Sequence, residues 1–277
     1  MLYLAYDGSL NGDWVARYAI RFAAHGGHAL NLLAVSDDRL QAQELERRIE
    51  RIDRECRAQG VECYPQQLSL AKSVFFTLHD HIPAGEDSLV ICGTRVRSRQ
   101  RAFLTGTISE KLLRSGRFNV LAIRVVQPGL LGSPREFLLP LAGHSRGFSA
   151  IWPFFHLFFP EVDRVYLLRA MQVNALRLPH LSSQRRRALR EAGNRYLQGM
   201  AEEIGRRSGK AEFRLDSRVR ICDDWVREVL LLASDLKVRM LLLGATERSL
   251  GHRLLHGDAL ERVLRGTPCD VGIYRSV

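Results

Sequence analysis

Asp7 follows directly on the short apolar run Leu2 to Tyr6. Further on, the apolar run Val90-Ile91-Cys92 stops at Gly93, and after a loop carrying Arg95, Arg97, Arg99 and Arg101 comes Gly106-Thr107-Ile108-Ser109. A carboxylate at position 7 accepts hydrogen bonds from hydroxyl and amino groups, while Thr107 and Ser109 supply hydroxyl donors. A helix that starts at Gly106-Thr107 points backbone N–H groups and the positive end of its dipole at whatever lies in front of it, which suits an anion. The spacing of strand end, loop and helix start fits a phosphate-bearing anion. Other chemistries find less support. No G-x-S-x-G elbow and no GxxxxGK[ST] loop occurs, and no pair of carboxylates is marked for acid–base work. His79-Asp80-His81 and His252 with His256 have ligand-like spacing, but neither set comes with a third ligand.

The elements that must hold these residues alternate in type. Leu2 to Tyr6 predicts a strand, and Ser9 or Asn11 can cap a helix whose buried face is Trp14, Val15, Tyr18, Ala19 and Phe22. Leu30 to Val35 is an uninterrupted apolar run, as expected of a parallel strand covered on both faces. Asp37 and Asp38 start a helix striped with Leu45, Ile49, Ile52 and Cys56. Val61 to Leu68 alternates like a strand nearer the sheet edge, Ser69 opens a helix through Val74, Leu78 and Ile82, and Val120 to Ile123 closes the set. The order βαβαβαβαβ argues for a doubly wound parallel sheet, in which ligands sit beyond the carboxyl ends of the strands at the switch in strand order. Asp7, Val35 and Gly93 all fall at such ends.

The pattern occurs twice. Gly244 and Gly257 repeat Gly93 and Gly106 at an offset of 151, and Gly143 repeats Gly8 at an offset of 135. The difference implies about sixteen extra residues in the second copy, placed in the loop from Gln172 to Ser182 and the long helix after it. That helix should bury Leu189, Ala192, Tyr196, Met200 and Ile204. Glu136 to Leu141, Val162 to Arg169, Ala211 to Val219 and Val238 to Leu243 predict the remaining strands. The Pro- and Gly-rich stretch from Gln127 to Pro134 is the linker, giving domains 1–127 and 135–277. The fold class is therefore α/β, with two tandem doubly wound parallel-sheet domains, each of five strands with helices on both faces. Ile151 to Phe159, IWPFFHLFF, is apolar on nearly every side and predicts a helix buried between domains or against a partner, with membrane attachment as the alternative.

A chain of 277 residues with 46% hydrophobic and 26% charged residues can fill two cores. A net charge of +11, largely arginine, leaves two readings open: an anionic partner such as nucleotide, nucleic acid or acidic lipid, or a solvated basic surface. Five cysteines without a CxxC pair argue against a disulfide framework and for a reducing compartment. MLYLAYDGS lacks the features of a signal peptide, and no apolar run is long enough to span a bilayer, so a soluble, cytoplasmic protein is expected.

Asp7-Gly8-Ser9 after a first strand, together with Gly93 and Gly106-Thr107-Ile108-Ser109, resembles the universal stress protein family. Nucleotide-binding members of that family carry G-x2-G-x9-G-[ST] between the fourth strand and fourth helix. The resemblance covers both halves and implies a tandem universal stress protein of the adenine-nucleotide alpha-hydrolase-like fold. It implies a stress-response regulator rather than an enzyme, associating through its fifth strand as a dimer or with a protein partner. Ala5, Tyr6, Asp7 and Val35 would line the nucleoside, and Cys92, Gly93, Arg95, Gly106, Thr107, Ile108 and Ser109 the ribose and phosphates of ATP or AMP, with room for Mg²⁺. The alternative is a slow ATPase or adenylating enzyme at the same site, although the SGGxDS-type loop of the pyrophosphatase-like adenylating enzymes is missing. A module for RNA or lipid surfaces is a third reading. Val96 replaces the second Gly of the motif, where a β-branched residue hinders close backbone approach. In the second half Ala142 replaces the Asp, and Glu247 and Asp258 place carboxylates where phosphate would lie, so that half is expected to bind no nucleotide.

Overall fold

The computed structural model describes residues 1–37, 41–94, 104, 106–128, 134–142, 147–209, 212–245 and 257–277. The chain divides into two compact units. The first comprises Met1–Gly132, Gly244–Glu261 and Gly272–Val277, and the second Ser133–Leu243 and Arg262–Val271.

The first unit starts from β1 (Leu2–Tyr6), α1 (Leu10–Gly26), β2 (Leu30–Ser36) and α2 (Ala42–Ala58). It continues with β3 (Cys63–Ser69), α3 (Val74–His81), β4 (Gly85–Gly93), α4 (Ile108–Ser115) and β5 (Phe118–Arg124). The strands are parallel, in the order β3-β2-β1-β4-β5. α1 packs on β1, β4 and α2, while α3 packs on β2 and α4, so helices cover both faces. β2 and β4 are buried because both their faces are covered. β3, at the edge, alternates between exposed and half-buried residues. Ser9 caps α1, its hydroxyl accepting from the Gly12 N–H at 3.0 Å.

Two helix starts differ from expectation. α2 begins at Ala42 instead of Asp37, with Gln41 as the flanking residue, and Asp38 lies outside the described residues. α3 begins after Ser73, not Ser69: the Ser73 hydroxyl accepts from the Phe76 N–H, whereas Ser69 is still paired to Ser36 in the sheet. A local cap decides a helix start more firmly than the apolar stripe does, and here the two conflicted.

The second half of the chain repeats the plan with β6 (Glu136–Pro140), β7 (Arg164–Gln172), α6 (Ser183–Ser208), β8 (Arg214–Cys222), α7 (Trp225–Asp235) and β9 (Met240–Gly244). α5 (Trp152–Phe155) stands between two 3₁₀ turns before β7, and α8 (Gly257–Gly266) with β10 (Asp270–Arg275) ends the chain. Its parallel order is β9-β6-β7-β8. Strand register reproduces the repeat read from the sequence: Leu2 pairs with Leu89, and Phe137, 135 residues after Leu2, pairs with Met240, 151 after Leu89. Much of the sixteen-residue excess is in α6, of 26 residues against 17 in α2.

β8 runs three residues later than the sequence pattern suggested. α6 buries Gly193, Leu197, Met200 and Ile204, while the expected Ala192 is exposed. Gly193 fixes that rotation, since a Cβ there would lie 2.7 Å from Val219 Cγ1 on β8. IWPFFHLFF is not one helix. Pro153 sits at the start of α5, and the 3₁₀ turn His156–Glu161 contains Pro160. Its rings fill the unit's own core: Phe155 and Phe158 meet Phe137 of β6, and Phe155 and Phe159 meet Phe213. The expectation of an interface helix is therefore corrected, because the apolar surface has its cover within the unit.

Candidate functional site

From β1 the first unit's sheet grows in opposite directions, to β2 on one side and β4 on the other. The crevice beyond the carboxyl ends of β1 and β4 is thus the switch point of this sheet. Ala5 pairs with Cys92, which sets Asp7 beside the end of β4. Burial pushes the Cys92 thiol up to about 12, and the charge of the Asp7 carboxylate adds to the shift. Asp7 is exposed, and its Oδ1 accepts from the Ser9 N–H at 3.0 Å and from the Ser9 hydroxyl at 2.6 Å. Val35, half-buried, is the penultimate residue of β2, the strand paired to the other edge of β1 from β4.

Gly93 is needed for close approach. A Cβ there would fall 2.6 Å from Asn11 Nδ2, and that amide donates to the Thr94 carbonyl at 3.2 Å. Thr94 is 3% exposed, its N–H donates to the Ile123 carbonyl, and its hydroxyl has no hydrogen-bond partner among the described residues. A desolvated, unmatched hydroxyl at a switch point is a group prepared for a ligand or a water. Tyr6 faces elsewhere. Its phenol donates to Asp13 Oδ1 at 2.5 Å, and Arg48 and Arg51 hold the other oxygen of Asp13 at 3.2 and 2.6 Å. Burial, reinforced by the bond to Asp13, pushes the Tyr6 phenol well above its ordinary value. Tyr6 joins β1 to α1 and α2 through this cluster.

The start of α4 is built as a capping box. Thr107 Oγ1 accepts from the Glu110 N–H at 3.2 Å, and Glu110 Oε2 accepts from the Gly106 N–H at 2.5 Å. Arg114 balances the other Glu110 oxygen at 2.9 Å. The Thr107 hydroxyl also donates to the Leu104 carbonyl at 2.6 Å and lies 2.9 Å from Ser109 Oγ. Gly106, at φ 74°, takes a backbone conformation that a side chain would strain. Ile108 is the first residue of the helix.

The strand ends thus bring Ala5, Asp7, Val35, Cys92 and Gly93 together, while Gly106, Thr107, Ile108 and Ser109 form one tight turn at α4. Arg95 and Val96 belong to residues 95–103, outside the description. Sequence reasoning named Asn11 only as a cap and passed over Thr94 and Glu110. The T-x-x-E spacing from Thr107 to Glu110 was the available signal for the last.

The repeated segment is filled differently. The Ala245 N–H donates to the Tyr274 carbonyl at 2.7 Å, as Thr94 does to Ile123. Over Gly244, however, lies the Tyr274 phenol, whose oxygen would be 3.0 Å from a Cβ on that glycine. Ala142 is exposed, while Glu247, His252 and His256 lie outside the described residues. His79 pairs with Asp80 and His81 with Gln66, and no cluster of three or more metal-ligating side chains occurs among the described residues. All five cysteines are free, and Cys63 alone of them is not fully buried.

This architecture is a doubly wound α/β fold with parallel strands and helices on both faces. Among solved structures, the chain resembles a universal stress protein from Archaeoglobus fulgidus over 98% of its own length and 95% of that chain, with 14% identity and a TM-score of 0.62. A Pseudomonas aeruginosa protein described as a universal stress protein matches over 98% and 92%, with 16% identity and a TM-score of 0.61. The cytoplasmic domain of a prokaryotic cation chloride cotransporter matches over 99% and 95%, with 10% identity and a TM-score of 0.59. At these identities the likeness is one of fold. No protein-family model and no curated protein matches the sequence.

Proposed function

We propose that the chain is a tandem universal stress protein, a cytoplasmic stress-response regulator that binds an adenine nucleotide, ATP or AMP, in its first half and relays occupancy to a protein partner or a second copy. One observation carries the reading: the ends of β1 and β4, paired through Ala5 and Cys92, lead into the Asp7 carboxylate and the buried Thr94 hydroxyl, which has no hydrogen-bond partner among the described residues. In this reading Asp7 accepts from ribose hydroxyls, Thr94 supplies a further polar contact, and the phosphates lie toward the start of α4, where they must displace Glu110 to reach the Gly106 N–H. The Tyr274 phenol over Gly244 and the alanine at 142 support leaving the second half empty.

Asp7→Ala removes a charge-assisted hydrogen bond worth about 1.5–3 kcal/mol and should weaken nucleotide binding roughly ten- to a hundredfold. Titration calorimetry with AMP and ATP on both proteins checks this, alongside mass spectrometry of nucleotide retained through purification. Equal affinities would remove the site from β1, and steady phosphate release from ATP would favour a slow ATPase over a regulator.

A further inference from the structure

From Arg164 to Arg190 the chain carries seven arginines and no aspartate or glutamate. The middle of this stretch, residues 173–182 ahead of α6, lies where the second half is longer than the first. It is a folded loop. The Val173 N–H donates to the Cys222 carbonyl of β8 at 2.8 Å. The Asn174 carbonyl accepts from the Arg177 and Leu178 N–H groups at 2.9 and 3.0 Å, and Asn174 Oδ1 accepts from the Leu176 N–H at 2.9 Å. The Arg186 guanidinium then ties the loop to α6, donating to the Leu178 and Leu181 carbonyls at 3.0 and 3.2 Å.

This scaffold presents an exposed aliphatic side chain beside a run of arginines. Leu176 is 83% exposed, the highest value for a large hydrophobic side chain among the described residues. Arg177, next to it in the loop, and Arg185, Arg187 and Arg190 in the first turns of α6 are exposed and make no ion pair among the described residues. The first turn of α6 contains no acidic residue, so its arginines face the positive end of the helix dipole without compensation. An outside anion would relieve that repulsion.

We propose that this loop and the first turns of α6 form a docking surface for an anionic lipid bilayer. Leu176 enters the headgroup boundary, and Arg177, Arg185, Arg187 and Arg190 meet the lipid phosphates. The aliphatic apex decides between polyanions. Single-stranded nucleic acid is held by stacking on aromatic rings, and the loop displays a leucine instead. The proposal does not rest on the nucleotide reading of the first half.

Flotation of the full chain tests this, with vesicles of phosphatidylcholine alone or containing phosphatidylserine. Binding to the phosphatidylserine vesicles only, weakening as salt rises, is expected. Arg185→Glu/Arg187→Glu should lower the partition coefficient at least roughly twentyfold, given about fivefold for each arginine near the surface. Leu176→Ser should lower it while leaving the salt dependence in place. All three side chains are exposed, so circular dichroism should report unchanged folds. Equal binding to both vesicle types, binding unaffected by these substitutions, or no binding would overturn the proposal. Arginine-dependent binding to homopolymeric RNA without binding to vesicles would overturn it in favour of nucleic acid.

Discussion

Cys92 lies under the site, one residue before Gly93, with its thiol pushed up to about 12 from an ordinary value of 9.0. Its folded-state pKa exceeds the unfolded one, so its contribution to stability is intact below pH 9 and is lost as pH rises toward 12. Over that window a single thiol adds a slope approaching 1.4 kcal/mol per pH unit. Urea midpoints for the wild type should therefore fall more steeply between pH 8 and pH 10.5 than those of Cys92→Ala. The buried Tyr6 phenol titrates in both proteins, so the comparison isolates Cys92, and parallel curves would mean that the thiol ionises without resistance. Residue types at this site were legible from the sequence, since Asp7, Gly93 and Thr107 each follow from a chain punctuation that their side chains or backbone explain. The Asn11 amide over Gly93 and the unmatched hydroxyl of Thr94 were not. Both arise from a parallel pairing between β1 and β4, and nothing local in the sequence encodes that approach.

Local rules read the elements well where one signal dominated and failed where two competed. β1 and β2 came out almost to the residue, and β4 at its Gly93 end but not at its start, because apolar runs bounded by glycine or polar residues permit little else. α6 was misjudged by one position along its stripe. Gly193 looks neutral in a hydropathy pattern, yet it is where the helix touches Val219. The aromatic segment was read as one helix because periodicity ignores Pro153 and Pro160, which break it. The capping box of α4 gives a direct test at this scale. Glu110→Ala removes the acceptor for the Gly106 N–H and the partner of Arg114, and should destabilise the fold by about 1 kcal/mol in chemical denaturation. Glu110→Gln keeps an acceptor for the Gly106 N–H and should recover part of the loss. Equal effects from the two substitutions would mean that the carboxylate charge, rather than the hydrogen bond, holds the turn.

The two halves of the chain share strand register, Leu2 with Leu89 and Phe137 with Met240, and differ in what covers the matching glycines. An asparagine amide lies over Gly93 and a tyrosine phenol over Gly244. The compact units do not follow the order of the chain. The Leu104 N–H donates to Glu261 at 2.7 Å and the Val277 N–H to the Asn119 side chain at 3.2 Å, all four residues belonging to the first unit. During translation, residues 244–261 and 272–277 leave the ribosome only after residues 133–243 have done so. The unit that begins first is therefore completed last, and a nascent chain spends most of its synthesis with that unit open. A fragment ending at Gly132 should bind the dye ANS and unfold at lower denaturant than the full chain.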